Sequence, residues 1–408
     1  MKYVSYNKDN TVKVISSTSF SSNDENVIPI SEAVELYSKV QLESDAPIKI
    51  AYVCNWNQKC GISTYSKFLF DELQYLVQDY KIFSEQGNEQ IEDEKITYCW
   101  KRGESLRQLT NSIEDYKPSL VLIQHEWGLF PNASYFMKFI LDLDKLNIPH
   151  LVILHSVYEH LDKTIPLSVL KNVVVHSPVA KEVLKKIKFP GKITVIPHGC
   201  PAVNEDPELW NVFQNPYTVF GYGFGFKYKG VDMAIDAVNH LVKNDPKFKN
   251  LLYIYVCSES ENNKGIHNAY FDSLNVKVKE LDLEDNIILI KGFLSDELLS
   301  NYLRIVKLCI FPYISETNNV VYGASGAIKI AMSYNIPVIG SVSHLFDDLE
   351  GVVPRIYNYL ELVSEIDKIF SDHTLRIELI KKNHDYLTKN SWKNSSLLYL
   401  EEMKRILG

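Results

Sequence analysis

Five polar clusters interrupt an otherwise apolar pattern, and each stands where a strand gives way to a turn or a helix. The first, NWNQKCGIS from Asn55 to Ser63, enters a helix through Gly61 and Ile62. A glycine there admits a phosphate or sugar to the backbone, and the helix dipole favours negative charge. An ordinary strand-to-helix turn carries glycine too, so this segment does not decide alone. The second, Gln124-His125-Glu126-Trp127-Gly128, directly follows the apolar run Leu120 to Ile123. Three hydrogen-bonding side chains and an indole are suited to a hydroxyl-rich ligand. That makes His125, Glu126 and Trp127, with Asn55, candidates for binding it; a packed His125 satisfied by Glu126 is the plain alternative. The third is His155-Ser156, after Leu151 to Leu154. An imidazole there can bond a hydroxyl or hold an anionic leaving group, or can simply pack and cap.

The fourth cluster is GFGFKYKG, Gly223 to Gly230, between a short strand and an amphipathic helix. Lys227 and Lys229 then stand at a helix N-terminus, where the dipole repels cations at a small cost in folding free energy. A diphosphate bound near them and Gly225 would offset that cost; two solvated lysines are the alternative. The fifth is Glu316-Thr317-Asn318-Asn319, whose carboxylate and amides can bind several hydroxyls at once, or form a plain polar loop. It leads through Tyr322 into Gly323, Ala324, Ser325 and Gly326, which have almost no side chain and leave backbone N–H groups within a ligand's reach. A helix is expected from Ala327 to Tyr334, apolar nearly all round through Ile328, Ile330, Ala331 and Met332, and then a strand from Pro337.

The elements that position these clusters alternate. Apolar runs at Ile48 to Val53, Leu120 to Ile123, Leu151 to Leu154, Val173 to Val175 and Ile193 to Ile196 are short and bounded by turn residues. They predict buried parallel strands separated by helices, the first helix carrying Ile62, Tyr65, Leu69, Leu73 and Leu76 on one face. A stretch from Cys200 to Pro216 breaks the pattern, which restarts with Val219-Phe220 and continues through Leu251 to Val256, Ile287 to Ile290, Leu308 to Phe311 and Val338-Ile339. The expectation is α/β: two open parallel-sheet domains of similar size facing a central cleft. Ahead of them, residues 1–46 read as a small β/α extension, with strands at Tyr3 to Tyr6 and Val12 to Ile15 and a short helix opening at Ser31. The expected divisions are 1–46, 47–202, 203–388 and a final helix in 389–408.

At 408 residues the chain is long for one core, which agrees with two domains. A formal net charge of -8 gives no general attraction to nucleic acid or to an anionic membrane. The N-terminus lacks the apolar core of a signal peptide, and no apolar run spans a bilayer, so a cytoplasmic location is expected; peripheral membrane contact stays open. The six cysteines are scattered without a C-x-x-C pair, as free thiols in a reducing compartment would be. G-x-S-x-G, G-x-x-x-x-G-K-[ST] and H-E-x-x-H are absent, and no acidic metal site is evident, so no essential metal or cofactor is expected. Lys181, Lys185, Lys186, Lys188 and Lys192 read as the solvated face of a helix.

Taken in order, CGISTYSKFL from Cys60, QHEWGLF from Gln124, LHSVYE from Leu154, VVVHSPVAKEVL from Val173, VIPHG from Val195, GFKYKG from Gly225 and SGAIKIAMSYNIPVIGS from Ser325 resemble the GT-B-fold glycosyltransferases. The likeness is to the retaining family 4, group-1 type. The closing SWKNSSLLYLEEMKRIL from Ser391 is similar to that family's last helix, which crosses back onto the first domain. The resemblance implies two Rossmann-like domains and transfer of a hexosyl unit, with retention, from a nucleotide diphosphate sugar. The donor is held mainly by the second domain, and the hydroxyl of a glycan, lipid-linked or protein acceptor by the first. It implies a diphosphate contact for Lys229, a place beside the diphosphate for Gly61, and an active-site role for His155. Two departures stand out. Gly223, Phe224, Gly225 and Phe226 occupy the region where the family commonly has an arginine, and the family's two glutamates fall on Tyr322 and Ile330. Glu316 is then the candidate to replace one of them, while a branch with S-G-A in this turn would hold phosphates by the backbone around Ser325 and Gly326. Two other readings remain: a non-catalytic homologue that binds nucleotide sugar as a partner subunit, and a sugar transferase acting on modified DNA.

Overall fold

The computed structural model describes residues 48–87, 90–160, 169–204, 215–259, 264–315 and 320–408, with the backbone of three short strands before them. Those three, β1 (Lys2–Tyr6), β2 (Val12–Ser16) and β3 (Val27–Pro29), form an antiparallel sheet in the order β2-β1-β3. The helix expected from Ser31 lies outside the described residues.

The first large sheet has seven strands: β4 (Lys49–Cys54), β5 (Asp79–Glu85), β6 (Ile96–Trp100), β7 (Leu120–His125), β8 (His150–Leu154), β10 (Asn172–Val175) and β11 (Lys192–Val195). A two-residue strand, β9 (Ser156–Val157), follows β8 outside this sheet. All pairings in the sheet are parallel, in the order β11-β10-β8-β7-β4-β5-β6. Parallel strands are covered on both faces, which is why β4, β7 and β8 are apolar almost throughout. One face packs on α2 (Arg107–Tyr116), α3 (Ala133–Lys145) and α4 (Pro178–Lys186) through Ile113, Phe136, Phe139 and Leu184. The other packs on α1 (Gly61–Leu73) through Tyr65, Leu69 and Leu73.

The second sheet has six parallel strands: β12 (Thr218–Phe224), β13 (Leu252–Ser258), β14 (Ile287–Lys291), β15 (Leu308–Phe311), β17 (Val338–Ser341) and β18 (Arg355–Ile356), in the order β14-β13-β12-β15-β17-β18. Alternation along β13 shows both faces at work. Tyr253, Tyr255 and Cys257 join the core under α5 (Val231–Asn244), α6 (Lys264–Glu280) and α9 (Tyr359–Ser371). Ile254 and Val256 join the core under α7 (Asp296–Ile305) and α8 (Gly326–Met332). After α10 (His373–Lys389), α11 (Trp392–Leu407) leaves this half of the chain and packs against α1, bringing Trp392, Tyr399 and Met403 into the first core. The fold class is the expected one, two parallel-sheet α/β domains.

Three local differences matter for the cleft. β7 runs two residues further than the apolar run, so Gln124 and His125 are strand residues paired with Ile153 and Leu154. Helix α8 has seven residues and starts at Gly326, and it is not apolar all round, because Lys329 is fully buried within it. And β16 (Tyr322–Gly323) pairs antiparallel with β9, tying the glycine-lined turn to the first domain backbone to backbone. A Cβ at Gly323 would press on the His155 carbonyl, so only glycine fits there.

Candidate functional site

Each sheet turns its chain direction once, between β4 and β7 in the first and between β12 and β15 in the second. Loops diverge at such points and leave a crevice at the carboxyl ends of the strands. The two crevices face each other across a cavity of about 340 Å3, lined by Cys60, Gly61, Ile62, Glu126, His155, Ser156 and His198 from the first domain and by Gly223, Lys229, Tyr313, Ser325 and Gly326 from the second.

The first wall is built on a row of histidines. Four adjacent strands, β11, β10, β8 and β7, end at or just before His198, His176, His155 and His125. Ring centroids are 5.2 Å apart for His155 and His176 and 5.7 Å for His176 and His198. The Tyr65 ring from α1 lies among them, 4.7, 5.3 and 4.9 Å from His155, His176 and His198 and 4.8 Å from Trp392 of α11. Its hydroxyl is 2.8 Å from that of Tyr399, so α11 locks the packing. Burial holds all four imidazoles neutral, pushing His125 down to about 3 and His176 to about 4. It takes His155 and His198 well down as well, helped for His198 by the nearby Lys329 cation.

His155 is held from behind. Its Nε2 lies 2.6 Å from Gln124 Oε1, and Gln124 Nε2 donates over 2.6 Å to the hydroxyl of buried Tyr52. Beside it, Glu126 accepts from the Ser156 hydroxyl at 2.6 Å and from the Trp127 N–H at 3.0 Å, while burial raises its pKa. Trp127 donates to the Ser156 carbonyl at 3.4 Å and stands behind the lining. His125 does not reach the cleft. It is packed between Phe130 and Phe136, and neither ring nitrogen has a hydrogen-bond partner among the described residues. Asn55 is also buried, donating to Cys60 Sγ at 2.7 Å, and Cys60 in turn caps α1 by accepting from Ser63 N. All six cysteines are free.

The second wall carries the charge. Residues 227–229 form a 3-10 turn, and Gly230, in the left-handed region at φ 68°, opens α5. A Cβ at Gly230 would collide with the Pro312 carbonyl, so this glycine sets the turn that aims Lys229 into the cleft. Its ammonium lies 3.9 Å from the Tyr313 ring centroid and 5.0 Å from that of Tyr228. No carboxylate among the described residues pairs with it, and burial lowers its pKa. Lys227 is exposed and Gly225 is packed on Cys257 and His267, both outside the cavity lining. At Gly61 a Cβ would meet nothing within 4 Å, so its missing side chain leaves room at the start of α1.

Ser325 and Gly326 line the cavity, with His198 against Gly326. Behind them Lys329 pairs with Asp348 at 2.8 Å, both buried, and donates to the Ser325 carbonyl at 3.3 Å; Tyr386 donates to the same carboxylate at 2.8 Å. Tyr322 sits in β16 with its ring 4.5 Å from His344 and its hydroxyl 3.4 Å from Glu159, away from the lining. Glu316, Asn318 and Asn319 lie outside the described residues.

Tyr65, His176, His198, Tyr313 and the Lys329–Asp348 pair are parts of the site that the sequence reading did not single out, and Gln124, named there within its cluster, was given no role of its own. The signal for the histidines was available: His-Ser recurs after β8 and β10, and Pro-His-Gly follows β11. A broader depression of about 750 Å3 lies elsewhere, at the far end of the second sheet. Its Asn215 and Asn286 side chains donate to the backbone carbonyls of Asn250, Lys249 and Leu251. Among the described residues no group of three or more His, Cys, Asp or Glu side chains is placed to hold a metal ion, and no helix is long and apolar enough to cross a membrane.

No family model and no curated protein matches the chain by sequence. Solved structures do match it by shape. Sucrose-phosphate synthase from Thermosynechococcus elongatus superposes with a TM-score of 0.67 at 15% identity, over 88% of this chain and 99% of that one. An alpha,alpha-trehalose-phosphate synthase (UDP-forming) from Burkholderia xenovorans, in complex with glucose-6-phosphate, gives 0.67 at 9% identity over 88% and 100%. HepE from Anabaena, in complex with UDP and glucose, gives 0.60 at 14% identity over 88% and 100%. With two facing parallel-sheet domains and shape neighbours of this kind over most of its length, the chain has the GT-B fold.

Proposed function

We propose that the chain is a glycosyltransferase that moves a sugar from a nucleotide diphosphate donor to an acceptor hydroxyl. The observation that carries the reading is Lys229, a sequestered ammonium with aromatic faces for company and no described counter-ion, aimed into the cleft opposite the start of α1. An ion held this way is stabilised by an arriving anion, and a diphosphate leaving group develops that charge as the bond to the sugar breaks. Lys229 then neutralises the departing diphosphate, with backbone N–H groups at Gly61 and Ile62 available across the cleft. His155 faces the sugar. UDP-sugar donors are supported by the UDP complex of a structure with the same fold. Retention of configuration rests on the family resemblance. In this reading residues 203–388 hold the donor and residues 47–202 the acceptor.

The test is a panel of nucleotide sugars assayed for hydrolysis and for thermal stabilisation, since a bound donor raises apparent stability by mass action. On the sugar that responds, Lys229→Ala is expected to lower kcat/KM by about a hundredfold or more. Unchanged turnover in that variant would falsify the phosphate role. A second reading, a binding subunit without turnover, is favoured by the non-acidic Tyr322 and Ile330. Stabilisation by nucleotide without any donor consumption would select it.

A further inference from the structure

The first wall of the cleft has its hydrogen-bonding sense fixed, and that sense constrains what can lie against it. The Ser66 carbonyl, 3.5 Å from the Tyr52 hydroxyl, can only accept, so the Tyr52 proton points there and its lone pair is left for Gln124 Nε2. The Gln124 amide is thereby oriented, and its Oε1 receives the proton on His155 Nε2. His155 therefore presents a bare Nδ1. His198 reaches the same condition by another route: its Nδ1 lies 2.7 Å from the Gly199 carbonyl, which can only accept, so Nε2 next to Gly326 is bare.

The remaining polar side chains on this wall follow suit, and its free backbone N–H groups at Gly61 and Ile62 are taken by the donor diphosphate in the reading above. Ser156 spends its proton on Glu126 at 2.6 Å, Thr64 on the Cys60 carbonyl at 3.3 Å, and the Tyr65 hydroxyl is paired with Tyr399. Glu126 accepts from the Ser156 hydroxyl and the Trp127 N–H, contacts that favour its carboxylate against burial, and in that form it offers only lone pairs and a charge. No lysine or arginine from the first domain lines the cleft among the described residues. Arg102, near the Glu126 turn, is held by Glu85 through contacts of 2.6 and 2.8 Å.

We infer that the acceptor is an uncharged, hydroxyl-bearing compound, and that this wall refuses acceptors carrying phosphate or carboxylate. A hydroxyl can donate to His155 Nδ1, His198 Nε2 or Glu126, whereas a phosphate or carboxylate brings only lone pairs and negative charge to a surface that already has both. Burial supports the assignment by keeping both imidazoles neutral, so neither can turn into a cationic donor for an anion. Gln124 and Tyr52 are positioning residues for this selectivity. The inference rests on the transferase reading above and narrows its acceptor.

The experiment uses the full chain and the nucleotide sugar consumed in the donor panel. Release of nucleoside diphosphate and product mass are followed with two matched pairs of acceptors, glucose against glucose 6-phosphate and glycerol against glycerol 3-phosphate. The neutral member of a pair is expected to have at least about tenfold higher kcat/KM. A neutral member that does no better than its phosphorylated partner, including the case in which neither acts, overturns the inference. Glu126→Gln removes the one charge on this wall and adds a donor at nearly constant shape. The preference is expected to shrink by about fivefold in that variant, and an unchanged ratio overturns the assignment of selectivity to this wall. The two readings fail separately. A donor that is neither bound nor consumed removes the transferase reading itself, whereas a consumed donor with glucose 6-phosphate preferred leaves that reading standing and removes this one.

Discussion

The two walls of the cleft are built from different materials. On the first, His155, His176 and His198 interlock ring against ring with Tyr65 and Trp392, and the side-chain protons of His155 and Tyr65 are committed to protein partners. On the second, the cation that faces the cavity is one ammonium resting on tyrosine faces, beside a turn of glycine, alanine and serine, with the Asp296 carboxylate elsewhere in the lining. One side has its hydrogen-bonding sense fixed and its one carboxylate, Glu126, held by Ser156 and Trp127; the other carries a cation with no carboxylate paired to it among the described residues. Preorganised groups of that second kind do their work when charge develops opposite them, because no reorganisation is then needed. The lesson is clearest in the two lysines. Lys329, a few ångströms behind the turn, has Asp348 at 2.8 Å and Tyr386 closing the carboxylate, and it holds the Ser325 carbonyl. Lys229 has no such partner among the described residues. The compensated lysine anchors the turn, and the uncompensated one is the group that the proposed donor diphosphate would meet.

Breaking the compensated pair gives the largest effect. Lys329→Met leaves Asp348 buried with Tyr386 as its remaining partner, and removal of one member of a buried pair typically costs about 3 to 5 kcal/mol. Urea denaturation of the ligand-free protein should show that loss. Lys329→Met combined with Asp348→Leu should recover most of it, because two apolar groups leave no buried charge. A single variant as stable as the parent would show that Lys329 does not anchor the turn.

Next in size is the neutrality of the first wall. His125 and His176 have folded values of about 3 and about 4 against an ordinary 6.5, so between those limits the unfolded chain binds protons that the native protein does not. Stability therefore rises with pH through that window and is lost as pH falls below 6.5. From pH 6.5 to pH 5 each of these two histidines should account for about 2 kcal/mol. His176→Phe should flatten the acid side of the profile. Equal stability of the parent protein at pH 7 and pH 5 would mean that the histidine row is hydrated and free to take up protons.

How much of this was legible in the sequence follows from the range of the forces involved. The parallel strands were readable because burial on both faces demands local apolar runs, as in LVLI at Leu120 and LVIL at Leu151. Strands β5 and β6 were not, since DYKIFSE and ITYCW mix polar residues into the edge strand β6 and its neighbour β5, which are only partly covered. The ends of strands misled for a related reason. Gln124 and His125 look like loop residues by polarity, yet β7 carries them into the sheet, where Gln124 is satisfied by Tyr52 and His155. Lys329 was passed over in a helix read as apolar nearly all round, because its partner, Asp348, is 19 residues away in sequence and invisible to periodicity. Lys229 and His155 were singled out by position after a strand, but the Tyr65 ring that organises the histidines arrives from another helix. Pairings made by the fold rather than by neighbours along the chain leave no local pattern.

The smallest effect is the most direct comparison of the walls, because it takes from the second the cation that the first lacks. Lys229→Met removes the ammonium and keeps most of the stem. Two contributions oppose each other. The cation over Tyr313 at 3.9 Å is worth roughly 0.5 to 2 kcal/mol, while taking the charge out of water costs free energy. Burial lowers the Lys229 pKa against the opposing Tyr228 hydroxyl, which points to a charged form held at a loss in the empty cleft. The ligand-free variant should therefore be more stable than the parent, by about 1 kcal/mol, while losing the stabilisation that nucleoside diphosphate confers. Thermal denaturation with and without UDP measures both quantities in one experiment. A variant that is less stable when empty, or that UDP still stabilises as it does the parent, would place Lys229 with Lys329 among the structural lysines and remove the asymmetry between the two walls.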